Sequence, residues 1–158
     1  ILHVFLALGV DVLWTVCVSI FLALAFNLSI FDIKQIISSN IAIGLFEKIN
    51  LTIDARLKFF FACIMAPLWE ETVFRYFSIR FAQFCDALIK RSWMLLPTVL
   101  LSSIIFGILH GTVLNILFRG VGGLIFCWLY LKNNNSFWSV VAAHGLWNLS
   151  VLAATRFT

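Results

Sequence analysis

The chain has 158 residues, of which 63% are hydrophobic and 11% charged, with a formal net charge of +4. A soluble domain of this length carries roughly a quarter charged residues to cover its surface, so the composition excludes an ordinary water-soluble globule. The basic residues are scattered, with no basic block interleaved with aromatics, which argues against nucleic acid as a partner and leaves the lipid membrane as the expected one. The length allows a single membrane domain, 1–158. The first residue is Ile1 rather than Met, so sequence upstream of it is expected.

A hydrocarbon core about 30 Å thick takes about 20 apolar residues wound as a helix. Five stretches meet that description. The first runs from Ile1 to about Phe26 and is interrupted only by His3 and Asp11, which read as interfacial or packing residues. The mixed segment Asn27–Ile53, with Asp32, Lys34, Glu47 and Lys48, reads as a loop with an amphipathic piece at the membrane surface. The second stretch begins near Asp54 and runs past Arg80 as far as Cys85, with charges in its middle. The third spans Trp93 to His110. The fourth spans about Val113 to Leu131, with Arg119 near its start expected to snorkel to the surface. After the turn signal Lys132-Asn133-Asn134-Asn135-Ser136, the fifth spans Phe137 to about Thr155.

No strand-like alternation and no internal repeat is visible. Backbone groups in lipid must be satisfied within the segment, so the expected fold is all-α: a polytopic transmembrane bundle of about five helices plus an interfacial amphipathic segment. The expected location is an integral, multi-pass membrane setting, the plasma membrane in a bacterium. Cys17, Cys63, Cys85 and Cys127 show no CxxC pairing and read as small buried hydrophobes. Ser103, Gly107 and Gly111, and Gly120, Gly122 and Gly123, are small residues that let membrane helices approach closely.

Ionisable groups at membrane depth are functional candidates by default. The second stretch reads Pro67-Leu68-Trp69-Glu70-Glu71-Thr72-Val73-Phe74-Arg75. Glu71 and Arg75 are spaced i,i+4 and can pair. Glu70 points about 100° away and has no local partner; such a carboxylate suits a proton acceptor. Pro67, one turn earlier, should kink the helix and free backbone groups. A structural Glu–Arg pair with a solvated Glu is the plainer alternative. Phe106 and His110 share a face at the end of the third stretch, where a structural histidine is the alternative. His144 and Asn148 are again i,i+4, and Gly145 leaves room for a neighbouring helix; a buried His–Asn hydrogen bond is the alternative. Together these supply a base, two imidazoles, an amide and a guanidinium, a hydrolytic set.

The three motifs in this order, Glu70-Glu71-x-x-x-Arg75, Phe106-x-x-x-His110 and His144-x-x-x-Asn148, resemble the CPBP family, also called the Abi or CAAX-protease-like family. It includes the type II CAAX prenyl endopeptidases and bacteriocin-processing or self-immunity proteins. The resemblance covers a catalytic core of roughly 59–153. It implies an intramembrane endopeptidase in which Glu70 activates water, His110 positions it, His144 and Asn148 hold the oxyanion, and Arg75 with Glu71 fixes the helix and tunes Glu70. The implied partner is a peptide or protein substrate: a prenylated C-terminus, a leader peptide or another membrane protein. Glu70, His110 and His144 are the residues that would bind zinc if the enzyme used a metal. The HExxH spacing is missing, so a glutamate-activated water with no obligatory cofactor is expected. A non-enzymatic immunity or scaffold protein and a proton-coupled carrier are the competing readings; carriers are usually larger and built from repeats.

Overall fold

The computed structural model describes residues 2–26, 55–111 and 114–156, and the segment Asn27–Ile53 lies outside them. Five helices account for nearly all described residues, and none of these residues forms a strand. Helix α1 is Leu2–Phe26. Helix α2 is one continuous rod assembled from Ala55–Phe60, Phe61–Met65, Ala66–Glu71, Thr72–Phe77 and Ser78–Ile89, since the junction residues Phe60, Met65, Ala66, Glu71, Thr72, Phe77 and Ser78 all keep right-handed helical dihedrals. Helix α3 is Leu95–Leu109. Helix α4 joins Ile116–Gly120 to Val121–Lys132, and α5 is Phe137–Arg156. The five apolar stretches therefore become five helices in the expected order. Among the described residues α1 alone is both long and apolar enough to cross a membrane unaided, while Leu95–Leu109 and Phe137–Ala153 are shorter apolar helices.

The core lies where α1, α2, α4 and α5 meet, around Ala7, Ile79, Phe126, Leu129, Tyr130, Val140 and Ala143. The outer surface stays apolar: Leu2, Leu24, Leu96 and Trp138 are all mostly exposed, which is the distribution a lipid solvent favours.

Two wide π turns, Phe61–Met65 and Thr72–Phe77, bracket the short α segment that carries Glu70 and Glu71. Such turns cluster at functional sites. The first accommodates Pro67. The Ala66 N–H bonds back to the Phe61 carbonyl, so in the same register the Ala62 carbonyl would be served by residue 67, which as proline has no N–H. The Asn148 amide fills the gap, donating Nδ2 to Ala62 O at 2.8 Å. The second turn is met by Ser102 of α3, whose hydroxyl donates to Phe74 O at 2.7 Å.

Close approach of α3 and α4 depends on Gly107. A Cβ there would lie 2.7 Å from Ile116 Cα and 2.9 Å from Asn115 O. Ser103 lies on the same face, with its carbonyl 3.1 Å from a Cβ built at Gly120. Gly111 has a different duty from its two small predecessors: at φ 117° it ends the helix in a conformation other residues avoid.

Both described connections are local hydrogen-bond devices. Lys90 closes α2 in the left-handed region, with Arg91 N bonding Asp86 O at 3.1 Å. The Asp86 carboxylate accepts from the backbone N–H groups of Trp93 and Met94 at 2.9 and 2.8 Å and from Leu95 at 3.2 Å. It thus satisfies donors at the start of α3. Asp86→Ala is expected to cost about 1 kcal/mol, the usual value of such a cap, read as a lower melting temperature in detergent. Between α4 and α5, Asn134 and Asn135 take positive φ, and Asn135 N bonds Tyr130 O at 2.8 Å. That is the turn expected from the asparagine run.

Candidate active site

Three helices bring the three motifs to one place. On α2, Glu71 is fully buried and its Oε2 lies 3.1 Å from Arg75 Nε, the i,i+4 pair expected from spacing. The Arg75 guanidinium lies under aromatic faces, 4.5 Å from the Phe106 ring centre and 5.6 Å from that of Phe126. Gly123 admits it: a Cβ there would stand 3.3 Å from Arg75 Nη2. Oxygen Oε1 of Glu71 is occupied by His144 Nδ1 at 2.7 Å. Glu71 is therefore held from two helices.

Both imidazoles are oriented through Nδ1. At the C-terminal end of α3, His110 Nδ1 lies 2.7 Å from Phe106 O. Because a carbonyl and an ion-paired carboxylate only accept, Nδ1 is the donor in both histidines. Each Nε2 then faces Glu70: His144 Nε2 is 3.6 Å and His110 Nε2 3.9 Å from Glu70 Oε2. Glu70 itself keeps about a fifth of its side chain exposed. These separations are too long for direct hydrogen bonds and suit one bridging water. With both imidazoles neutral and Glu70 a carboxylate, the two Nε2 atoms and Glu70 Oε2 are all acceptors, so the gap between them calls for a proton donor.

The ring of Phe106 is 4.5 Å from His110 and 5.2 Å from Phe74, and Phe126 stacks on His144 at 5.2 Å. His144 and Asn148 do not bond each other. His144 turns to Glu71, and Asn148 ties α5 to α2 through Ala62 O. Gly145 makes that contact possible, since a Cβ there would lie 2.5 Å from Cys63 O. Among the described residues, no three His, Cys, Asp or Glu side chains are grouped to hold a metal ion, and all four cysteines are free.

Three residues near the site were not among the site candidates read from the sequence. Asn115 is fully buried and donates Nδ2 to His110 O at 2.7 Å, holding the end of α3. Asp11, expected to be interfacial or a packing residue, is 3% exposed inside the bundle. Arg119, expected to snorkel outward, instead lines an open cavity with Asp11, Phe106, Phe126, Trp147 and His144. The available signal was the cost of a lone charge in an apolar helix. His3 stays at the end of α1, its Nδ1 2.7 Å from Asn133 Oδ1.

Apolar outer faces around a carboxylate and two tethered imidazoles define a helical protein of the membrane with a cluster of ionisable side chains in its interior. Residues 52–150 match the family described as type II CAAX prenyl endopeptidase Rce1-like. That is more than half of the chain, and the chain belongs to this family, whose members are membrane-embedded endopeptidases. Comparison with curated proteins gave no match, and comparison with solved structures gave none.

Proposed function

We propose that the protein is a multi-pass intramembrane endopeptidase that hydrolyses a peptide bond with a water activated by Glu70. The observation that supports this best is the convergence of His110 Nε2 and His144 Nε2 on Glu70 Oε2. A water in that gap gives one proton to Glu70 as its oxygen attacks the peptide carbonyl, while His110 Nε2 accepts its second hydrogen and orients it. The carbonyl π pair moves to oxygen. His144 meets that oxyanion in its imidazolium form, with Nδ1–H on Glu71 and Nε2–H on the substrate. Glu71, shared with Arg75, offsets the imidazolium charge. The intermediate collapses, the C–N bond breaks, and Glu70 returns its proton to the leaving amine. One Nδ2 hydrogen of Asn148 is engaged on Ala62 O and positions α5, and the second is left to join His144 at the oxyanion.

Candidate substrates are a prenylated C-terminus, a leader peptide or another membrane protein. The short helices α3 and α5 cross lipid as parts of the bundle, so that the peptide reaches the site from within the membrane.

The test is cleavage of prenylated and unprenylated membrane peptides by the protein purified in detergent. Glu70→Ala is expected to lower the rate by about 10²–10⁴, the usual worth of a general base, and chelation is expected to leave the wild type active. Activity lost on chelation would make it a metal enzyme. A wild type that cleaves none of the peptides would shift the reading to a non-enzymatic scaffold or immunity protein.

A further inference from the structure

Glu70 and Glu71 are neighbours in sequence, yet only Glu71 has a cation on its own helix. Arg75 is committed to Glu71 and to the faces of Phe106 and Phe126. From other helices, His110 on α3 and His144 on α5 face Glu70 directly, and Arg119 on α4 lines the cavity that His144 also lines. Arg119 is thus the second guanidinium of the site, and it comes from a different helix.

Three observations place it. Arg119, Asp11 and His144 line the same cavity, and His144 Nε2 is 3.6 Å from Glu70 Oε2. Asp11 and Glu70 are the two carboxylates that act electrostatically on the Arg119 guanidinium. Gly122, three residues after Arg119 and so on the same face of α4, makes space for the Asp11 carboxylate: a Cβ there would stand 3.2 Å from Oδ1 and 3.4 Å from Oδ2. A carboxylate sunk in an apolar helix requires a polar partner. A guanidinium keeps its charge there and has five donors in a rigid fork, enough to serve two carboxylates.

We propose that Arg119, held in place by Asp11, is a positioning residue for Glu70, fixing its carboxylate where it receives the proton of the attacking water. The proposal rests on the peptidase reading and adds α1 and α4 to the site. The adjacent glutamates then have separate arginines. Glu71 uses Arg75 to orient an imidazole, and Glu70 uses Arg119 to orient itself.

The test combines kinetics with unfolding of the full chain in detergent. Arg119→Gln is expected to lower kcat by about 10²-fold, as misplacement of a reacting group does, and to leave KM within about twofold. Arg119→Lys should recover most of the loss, because it keeps the charge, and Asp11→Asn should cost about tenfold through looser placement. A loss confined to KM would make Arg119 a substrate contact and overturn the proposal. So would a lysine variant no better than glutamine, or no kinetic change. Independently of activity, melting temperatures of Glu70→Gln, Arg119→Gln and the double variant should be non-additive, the mark of coupled side chains; additive shifts overturn the pairing. If the wild type cleaves nothing, the peptidase reading falls, while the unfolding cycle still decides whether Arg119 holds Glu70.

Discussion

Arg75→Met is expected to destabilise the bundle by about 3–5 kcal/mol, the cost of leaving one member of a buried ion pair without its partner. Glu71 is fully buried and Arg75 is 1% exposed, so water cannot take over the lost contact. The methionine fills much of the same volume against Phe106 and Phe126, so the loss reflects charge rather than a cavity. Thermal unfolding in detergent measures it. The double variant Glu71→Leu with Arg75→Met removes both charges and should recover part of the stability, less about 1–3 kcal/mol for the His144 N–H left without its acceptor. It should not recover cleavage, because His144 Nδ1 then has no carboxylate to orient it. Stability and activity would separate in one variant. If the double variant is as unstable as Arg75→Met, the charge-pair explanation fails.

The second large effect is expected from a single methyl group. In Gly145→Ala the new Cβ would lie 2.5 Å from the carbonyl oxygen of Cys63, a main-chain atom that cannot rotate aside. Helix α5 must back away from α2. Two short bonds span that contact, His144 to Glu71 at 2.7 Å and Asn148 to Ala62 O at 2.8 Å. The overpacking should cost about 1–3 kcal/mol, and displacement of His144 by about 1 Å should lower kcat about 10²-fold. Gly9→Ala is the matching control, with nothing within 4 Å of its new Cβ. It should stay within about 0.5 kcal/mol of the wild type, as surface substitutions do. Equal activity in the two variants would mean that the α2–α5 contact does not position the imidazole.

The helices were legible because each is an apolar run bounded by charge or turn residues, and lipid leaves the backbone few alternatives. The Glu71–Arg75 pair was legible because four residues make one helical turn. The convergence of Glu70, His110 and His144 was an inference from motif order, and in the folded bundle both imidazoles lie within 3.9 Å of Glu70 Oε2. Other features depend on which helices touch, which periodicity does not state. Asp11 lies far from Arg119 in sequence, and only the α1–α4 contact puts them in one cavity. The fate of the Asn148 amide required knowing that Pro67 removes a donor opposite it. The wide turns of α2 have no signature apart from that proline.

The bond from Asn148 to Ala62 O also bears on how the protein is made. Helix α2 is synthesised well before α5. Until α5 arrives, the Ala62 carbonyl opposite Pro67 lacks the donor that serves it in the finished bundle, and an unsatisfied backbone group in lipid costs several kcal/mol. Completing that bond draws α5 onto α2 and brings His144 to Glu71 in the same movement. The site is therefore closed by α5, so that a chain halted before that helix holds its two glutamates without the imidazole that α5 brings to them.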